Sequence, residues 1–157
     1  NGRLSDIRPL LATPEFHLAV CHKVPSENLK IVSSILDGDR YTLAREHNLD
    51  VNIPELAKRF LQGAFKLWRD DEWSLGTLSC RSRFRMNMPA EFRCTTRLQE
   101  SSHGLEVHHE WEVDVRVPLI HDVLARHAES EIRRFNAIEL EVMRAEVALH
   151  TSGRRSP

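Results

Sequence analysis

Cysteine is scarce and unpatterned: Cys21, Cys80 and Cys94 are odd in number and far apart. Such a set builds neither a disulfide framework nor a C-x-x-C motif, so free thiols in a reducing compartment are expected. No apolar run approaches the roughly 20 residues that a membrane-crossing helix needs, and no signal peptide is visible at the start. An excess of charge is also missing. The 22 Lys and Arg against 23 Asp and Glu leave a net charge of −1, which argues against a surface dedicated to nucleic acid or acidic membranes. G-x-S-x-G, Ser-His-Asp spacing and metal-ligand spacing are all lacking. His108 and His109 adjoin, so a strand points them to opposite faces, and His17 and His22 have no partner motif. No catalytic residue, metal or cofactor is therefore assigned. Repeats, low-complexity tracts and linkers are missing too. The chain reads as one cytoplasmic domain over residues 1–150 with a disordered basic tail over 151–157. Asn1 is not a methionine, which leaves room for a preceding segment.

The clearest pattern present runs from Leu105 to Leu149. Leu105, Val107, His109, Trp111, Val113, Val115 and Val117 alternate with Glu106, His108, Glu110, Glu112, Asp114 and Arg116. That alternation predicts a strand with one buried and one wet face. Pro118 ends the ladder, having no N–H to donate, and suits the first turn of a helix. Ile120, Leu124, Ala128, Ile132, Phe135, Ile138, Val142 and Leu149 then recur near a 3.6-residue period, predicting a long amphipathic helix from Leu119 to Leu149.

Upstream, Pro9 and Pro14 divide the first 24 residues into one or two short helices, with Thr13-Pro14-Glu15 opening the second. Pro25 to Asn28 reads as a turn, and Leu29 to Leu36 as a strand closed by the hairpin signal Asp37-Gly38-Asp39. Its partner alternates from Tyr41 to Ile53, with Arg45 and His47 on the apolar side. Glu55 to Leu61 is a short helix stopped at Gly63, and three strands follow: Phe65 to Trp73, Thr77 to Met88, and Phe92 to Gln99. Strands followed by one long helix make an α+β architecture, a curved antiparallel β-sheet wrapped around the C-terminal helix.

This order resembles the START/Bet v 1-like (SRPBCC, helix-grip) superfamily, and most closely an uncharacterised bacterial branch of it. The likeness is carried by Pro54-Glu55-Leu56-Ala57-Lys58, by Asp71-Glu72-Trp73, and by the VDVRVPL segment from Val113 to Leu119. It spans about residues 14 to 147. The superfamily opens with a strand that has no counterpart before Ile7, and a sheet lacking it would have an exposed edge, so a homodimer through that edge is an expectation. The resemblance implies a cavity between sheet and helix, and a carrier or sensor of a hydrophobic, lipid-like small molecule that makes at most transient membrane contact.

Arg45, His47, Phe84, Met86, His109, Trp111, Phe135 and Ile138 are the candidate ligand-binding residues, with His127 or Glu131 facing inward from the helix. Methionine and aromatic residues suit an adaptable apolar pocket, and a buried charge must find a partner or a wet pocket. The same residues also make an ordinary filled core, which would leave an interaction module. A cyclase- or hydrolase-type enzyme using His109 or His47 is the remaining alternative. Cys80 and Cys94 read as small buried hydrophobes. On the outer face Arg81, Arg83, Arg85, Arg93 and Arg97 are expected to pair with Glu106, Glu110, Glu112 and Asp114 across neighbouring strands.

Overall fold

The computed structural model describes residues 3–49, 53–59 and 63–153. Two helices, α1 (Leu4–Leu11) and α2 (Pro14–Lys23), precede the hairpin β1 (Ser26–Asp37) and β2 (Arg40–Leu49). A one-turn helix α3 (Glu55–Lys58) leads to β3 (Lys66–Ser74), β4 (Ser79–Met86), β5 (Ala90–Ser101) and β6 (Gly104–Val115). The chain continues into α4 (His121–Gly153). The six strands form one open antiparallel sheet in sequence order, with β1 and β6 at its edges, and α4 packs against its inner face. Among the described residues no helix is long and apolar enough to cross a membrane.

Several boundaries differ from the sequence expectation. Pro9 lies inside α1 rather than ending it, and Pro14 at the start of α2 is what separates the two helices. The expected turn from Pro25 to Asn28 belongs to β1 from Ser26 onward. Asn28 takes a left-handed φ of 55° within a register shift between Glu27 and Lys30, and a second shift follows between Ile31 and Ser33. Such bulges bend an edge strand and blunt its pairing with other chains. Gly38 (φ 56°) makes the tight β1–β2 turn as expected. The Tyr41 strand is described as far as Leu49 and Ile53 is not part of it, while α3 stops at Lys58; residues 50–52 and 60–62 lie outside the described residues. The last strand ends at Val115. Pro118 does not open the helix: Leu119 is left-handed (φ 71°) and fully exposed, reversing the chain so that α4 begins at His121. Part of the expected tail is helical: α4 runs to Gly153, and the Thr151 and Ser152 hydroxyls donate to the Ala148 carbonyl. Residues 154–157 lie outside the described residues.

Strand phase decides what the sheet offers the helix. The inner face takes Tyr41, Leu43, Arg45 and His47 from β2, Leu67, Arg69, Asp71 and Trp73 from β3, and Cys80, Ser82 and Phe84 from β4. One end of this face is filled. Ile7, Leu11 and Phe16 from α1 and α2 close over Tyr41, Leu43, Trp73, Cys80 and Leu98, with Val147 of α4 beside them. His17 stacks on Tyr41 with ring centroids 5.6 Å apart. Cys21, Cys80 and Cys94 are buried free thiols, and burial pushes all three above the ordinary thiol range.

The outer face carries charge pairs, on different partners from those expected. Arg81 and Arg40 reach Glu72, Arg85 reaches Asp70, and Arg83 and Arg93 reach Glu91. Only Arg93 to Glu112, at 3.9 Å, crosses to β6 among the ion pairs of described residues. The arginines of β4 lie between β3 and β5 and so meet the acids of those strands rather than those of β6, and each exposed pair contributes ~0–1 kcal/mol.

Leu11 is fully enclosed at the filled end. Leu11→Ala should cost about 2–5 kcal/mol in urea denaturation with helix and strand signals retained; a loss below about 1 kcal/mol would mean that this end is loosely packed.

Candidate functional site: an apolar cavity beside a buried charge network

Across the middle of the inner face, Arg45 of β2 stands directly opposite Arg69 of β3. Two like charges facing each other in a sheet are unfavourable, and Asp71, on the same face of β3, offsets both. Arg45 Nη2 lies 3.0 Å from Asp71 Oδ2, and Arg69 Nε donates to Asp71 Oδ1 at 2.8 Å. Ser82 Oγ donates to the same oxygen at 2.5 Å. Arg69 Nη1 also donates to Glu139 Oε1 at 2.7 Å, which ties the sheet to α4. Asp71 is 3% exposed and Arg45 4%. Burial alone would raise the Asp71 pKa, but Arg69, Arg45 and Ser82 overcome it and hold the carboxyl far below the usual range. Burial likewise works against the Arg69 cation, and Asp71 and Glu139 keep it charged.

On the far side of this network from the filled end lies a cavity of about 140 Å³. Leu67, Phe84, Met86 and Phe92 form its sheet wall, with Trp111 on β6. Phe84 and Trp111 have ring centroids 5.1 Å apart. Leu124, Ala128, Ile132 and Phe135 supply the helix wall, and Ile53, Pro54 and Ala57 a third side. The space lies where cover is thinner: α1 and the start of α2 pack on the other end, only Cys21 and Val24 at the end of α2 reach the cavity, and the single turn of α3 adds just Ala57 to the core.

The wall is apolar but not wholly so. His47, Arg69, His127, Glu131, Asn136 and Glu139 also contribute to it. Both ring nitrogens of His47, the indole Nε1 of Trp111 and Nε2 of His127 are buried, and among the described residues they have no hydrogen-bond partner. A buried polar group without a partner costs about 1–3 kcal/mol, so these atoms are the chemically unfinished part of the site. Burial, reinforced by Arg45, pulls the His47 pKa down to about 4, so its imidazole is neutral at neutral pH.

The candidate residues fall into two groups. His47, Phe84, Met86, Trp111 and Phe135 line the cavity, as do His127 and Glu131. Arg45, His109 and Ile138 are not part of its wall. Arg45 is drawn sideways to Asp71. His109 pairs with Thr96 of β5, whose Oγ1 is 3.0 Å from its Nδ1, in the cross-strand row that begins at Tyr41. Ile138 is half-buried on α4, where Phe135, Asn136 and Glu139 take that turn's share of the wall. Arg69, Asp71 and Glu139 were missed. Their signal was the phase of Leu67, Arg69, Asp71 and Trp73, which puts opposite charges on the apolar face of β3.

Sheet, helix and cavity together define a helix-grip arrangement. The chain belongs to a family described as protein of unknown function (DUF2505), whose model matches residues 2–146. Among solved structures it is similar to TTHA0849 from Thermus thermophilus, with a TM-score of 0.64 and 12% sequence identity. The match covers 94% of this chain and 91% of that one, and at this identity it shows the fold alone. No curated protein matches the chain.

The buried charges make two testable demands. Asp71→Asn leaves Arg45 and Arg69 facing each other uncompensated and should cost about 3–5 kcal/mol in chemical denaturation; a change under about 1 kcal/mol would show that the pairs are dispensable. The second concerns pH. His17, whose Nε2 donates to the Leu11 carbonyl, is also held near 4 by burial and then by Arg45. Both His17 and His47 have folded pKa values below the ordinary 6.5, so the unfolded chain binds protons that the folded one refuses. Stability is then greatest above about pH 6.5 and falls towards about pH 4, by about 1 kcal/mol per pH unit for each histidine. Urea midpoints measured across that window should flatten in the His17→Gln/His47→Gln double variant, and an unchanged slope would refute the assignment.

Proposed function

We propose that this protein binds a hydrophobic small molecule between β3–β6 and the first half of α4. On this reading it is a START/Bet v 1-like carrier or sensor. The observation that carries it is an apolar cavity into which His47, Trp111 and His127 bring buried polar atoms with no partner among the described residues. Binding sites for small molecules have this composition: mostly apolar walls and a few convergent polar groups. A filled-core interaction module is disfavoured, since a cavity costs packing energy that a purely structural core would recover by closing. The cyclase- or hydrolase-type alternative has His47 and Arg69 on one wall in its favour. A general base, however, is usually held by a second group, and neither nitrogen of His47 has such a partner among the described residues. Access is assigned to the segment from Pro54 to Gly63, whose residues 60–62 lie outside the described residues and whose helix α3 contributes only Ala57 to a buried cluster.

Native mass spectrometry of the purified protein, followed by solvent extraction, tests this directly. The expected result is a bound mass released by solvent that is an apolar metabolite. Trp111→Leu should weaken rebinding of that molecule about tenfold, from the lost aromatic contact. Ala128→Phe, which fills the cavity from α4, should abolish rebinding with the fold retained. An empty protein that also fails to bind a panel of hydrophobic compounds would overturn the proposal.

A further inference from the structure

Each charged side chain of the cavity wall is already in an ion pair, partly with residues behind the wall, and this limits what can bind there. Arg69 is the arginine of the cavity wall, and two carboxylates already occupy it, Asp71 at 2.8 Å and Glu139 at 2.7 Å. The other wall carboxylate, Glu131, accepts from Arg134 at 2.6 Å. A carboxylate or phosphate head entering the cavity would have to displace Glu139 or Asp71 from Arg69 while lying near further acidic groups. An ammonium head would have to take Glu139 from Arg69 or Glu131 from Arg134. Among the described residues of the wall neither sign of charge meets an unpaired counter-charge, and a charge buried without one is strongly disfavoured.

What the wall leaves open is neutral hydrogen bonding. The Trp111 Nε1–H is a donor without an acceptor, and His47 has both ring nitrogens free among the described residues. A neutral imidazole has one donating and one accepting nitrogen, so a hydroxyl can satisfy Trp111 and His47 together. Size narrows the class further. A dry apolar cavity of about 150 Å³ accommodates one benzene, and this one is about 140 Å³.

We propose that the cavity selects an uncharged ligand whose buried part is a ring-sized apolar body bearing a hydroxyl or comparable hydrogen-bonding group, and that it rejects carboxylates, phosphates and amines. Fatty acids and phospholipids are thereby excluded as ligands held by their heads. This rests on the binding function proposed above and specifies its ligand class.

Four probes of similar size test it by calorimetry on the intact protein: p-cresol, toluene, 4-methylbenzoate and 4-methylbenzylamine. The expected result is that p-cresol binds at least tenfold more tightly than each of the others. Toluene equal to p-cresol would overturn the role of the orphaned polar atoms. Either charged probe binding as tightly as p-cresol would overturn charge exclusion while leaving a binding cavity in place. Binding of none of the four would overturn the cavity reading and this inference with it. A gain of function guards against misfolded variants: Glu139→Gln frees one side of Arg69 and should raise 4-methylbenzoate binding at least tenfold. No gain in that variant, with p-cresol still bound, would refute the claim that Glu139 is what excludes anions.

Discussion

A carboxylate sealed inside a β-sheet is the constraint from which most of this structure follows. A charged Asp71 holds Arg45 and Arg69 side by side, and the two arginines together with Ser82 keep Asp71 charged against its burial. Hydrophobic contact is non-directional and would tolerate the helix sliding along the sheet. The bond from Arg69 to Glu139 is directional, and it binds one turn of α4 to the centre of β3. The ionic network thus positions the helix, while apolar burial on either side of it supplies the bulk of the stabilisation.

The same network divides the interior into two unlike halves. On one side α1 and α2 bring Ile7, Leu11, Phe16 and His17 down on Tyr41 and Trp73 in one buried cluster. On the other side the cover is the single turn of α3 with Cys21 and Val24 at the end of α2, and the walls stand apart around Trp111 and Phe84. A helix-grip protein with unequal cover at its two ends therefore has a cavity at the thinly covered end. Arg69 and Glu139 contribute to the cavity wall as well as to the sheet–helix tie, so the chemistry of the site and the mechanics of the fold share residues.

The alternation from Leu105 to Val115, the Gly38 hairpin and the periodicity of α4 were all readable in the sequence, because each is a local repeat matched to strand or helix geometry. From those repeats the α+β architecture and the order of its elements followed directly. Five of the eight proposed pocket residues line the cavity for the same reason: strand phase alone places Trp111, Phe84, Met86 and His47 on the inner face, and helix phase places Phe135.

The tertiary structure decided what happens between elements. Arg45 and His109 have inward phase but are claimed by Asp71 and Thr96 on neighbouring strands, and no pattern along one strand reveals that claim. Leu119 is apolar and follows a proline, yet it stands exposed at positive φ because the chain must reverse there to lay α4 on the sheet. Periodicity reports which face a side chain takes; its partner on that face depends on strand register and helix position. Those arise only when residues distant in sequence satisfy one another's charge and volume, as Arg69 and Glu139 do.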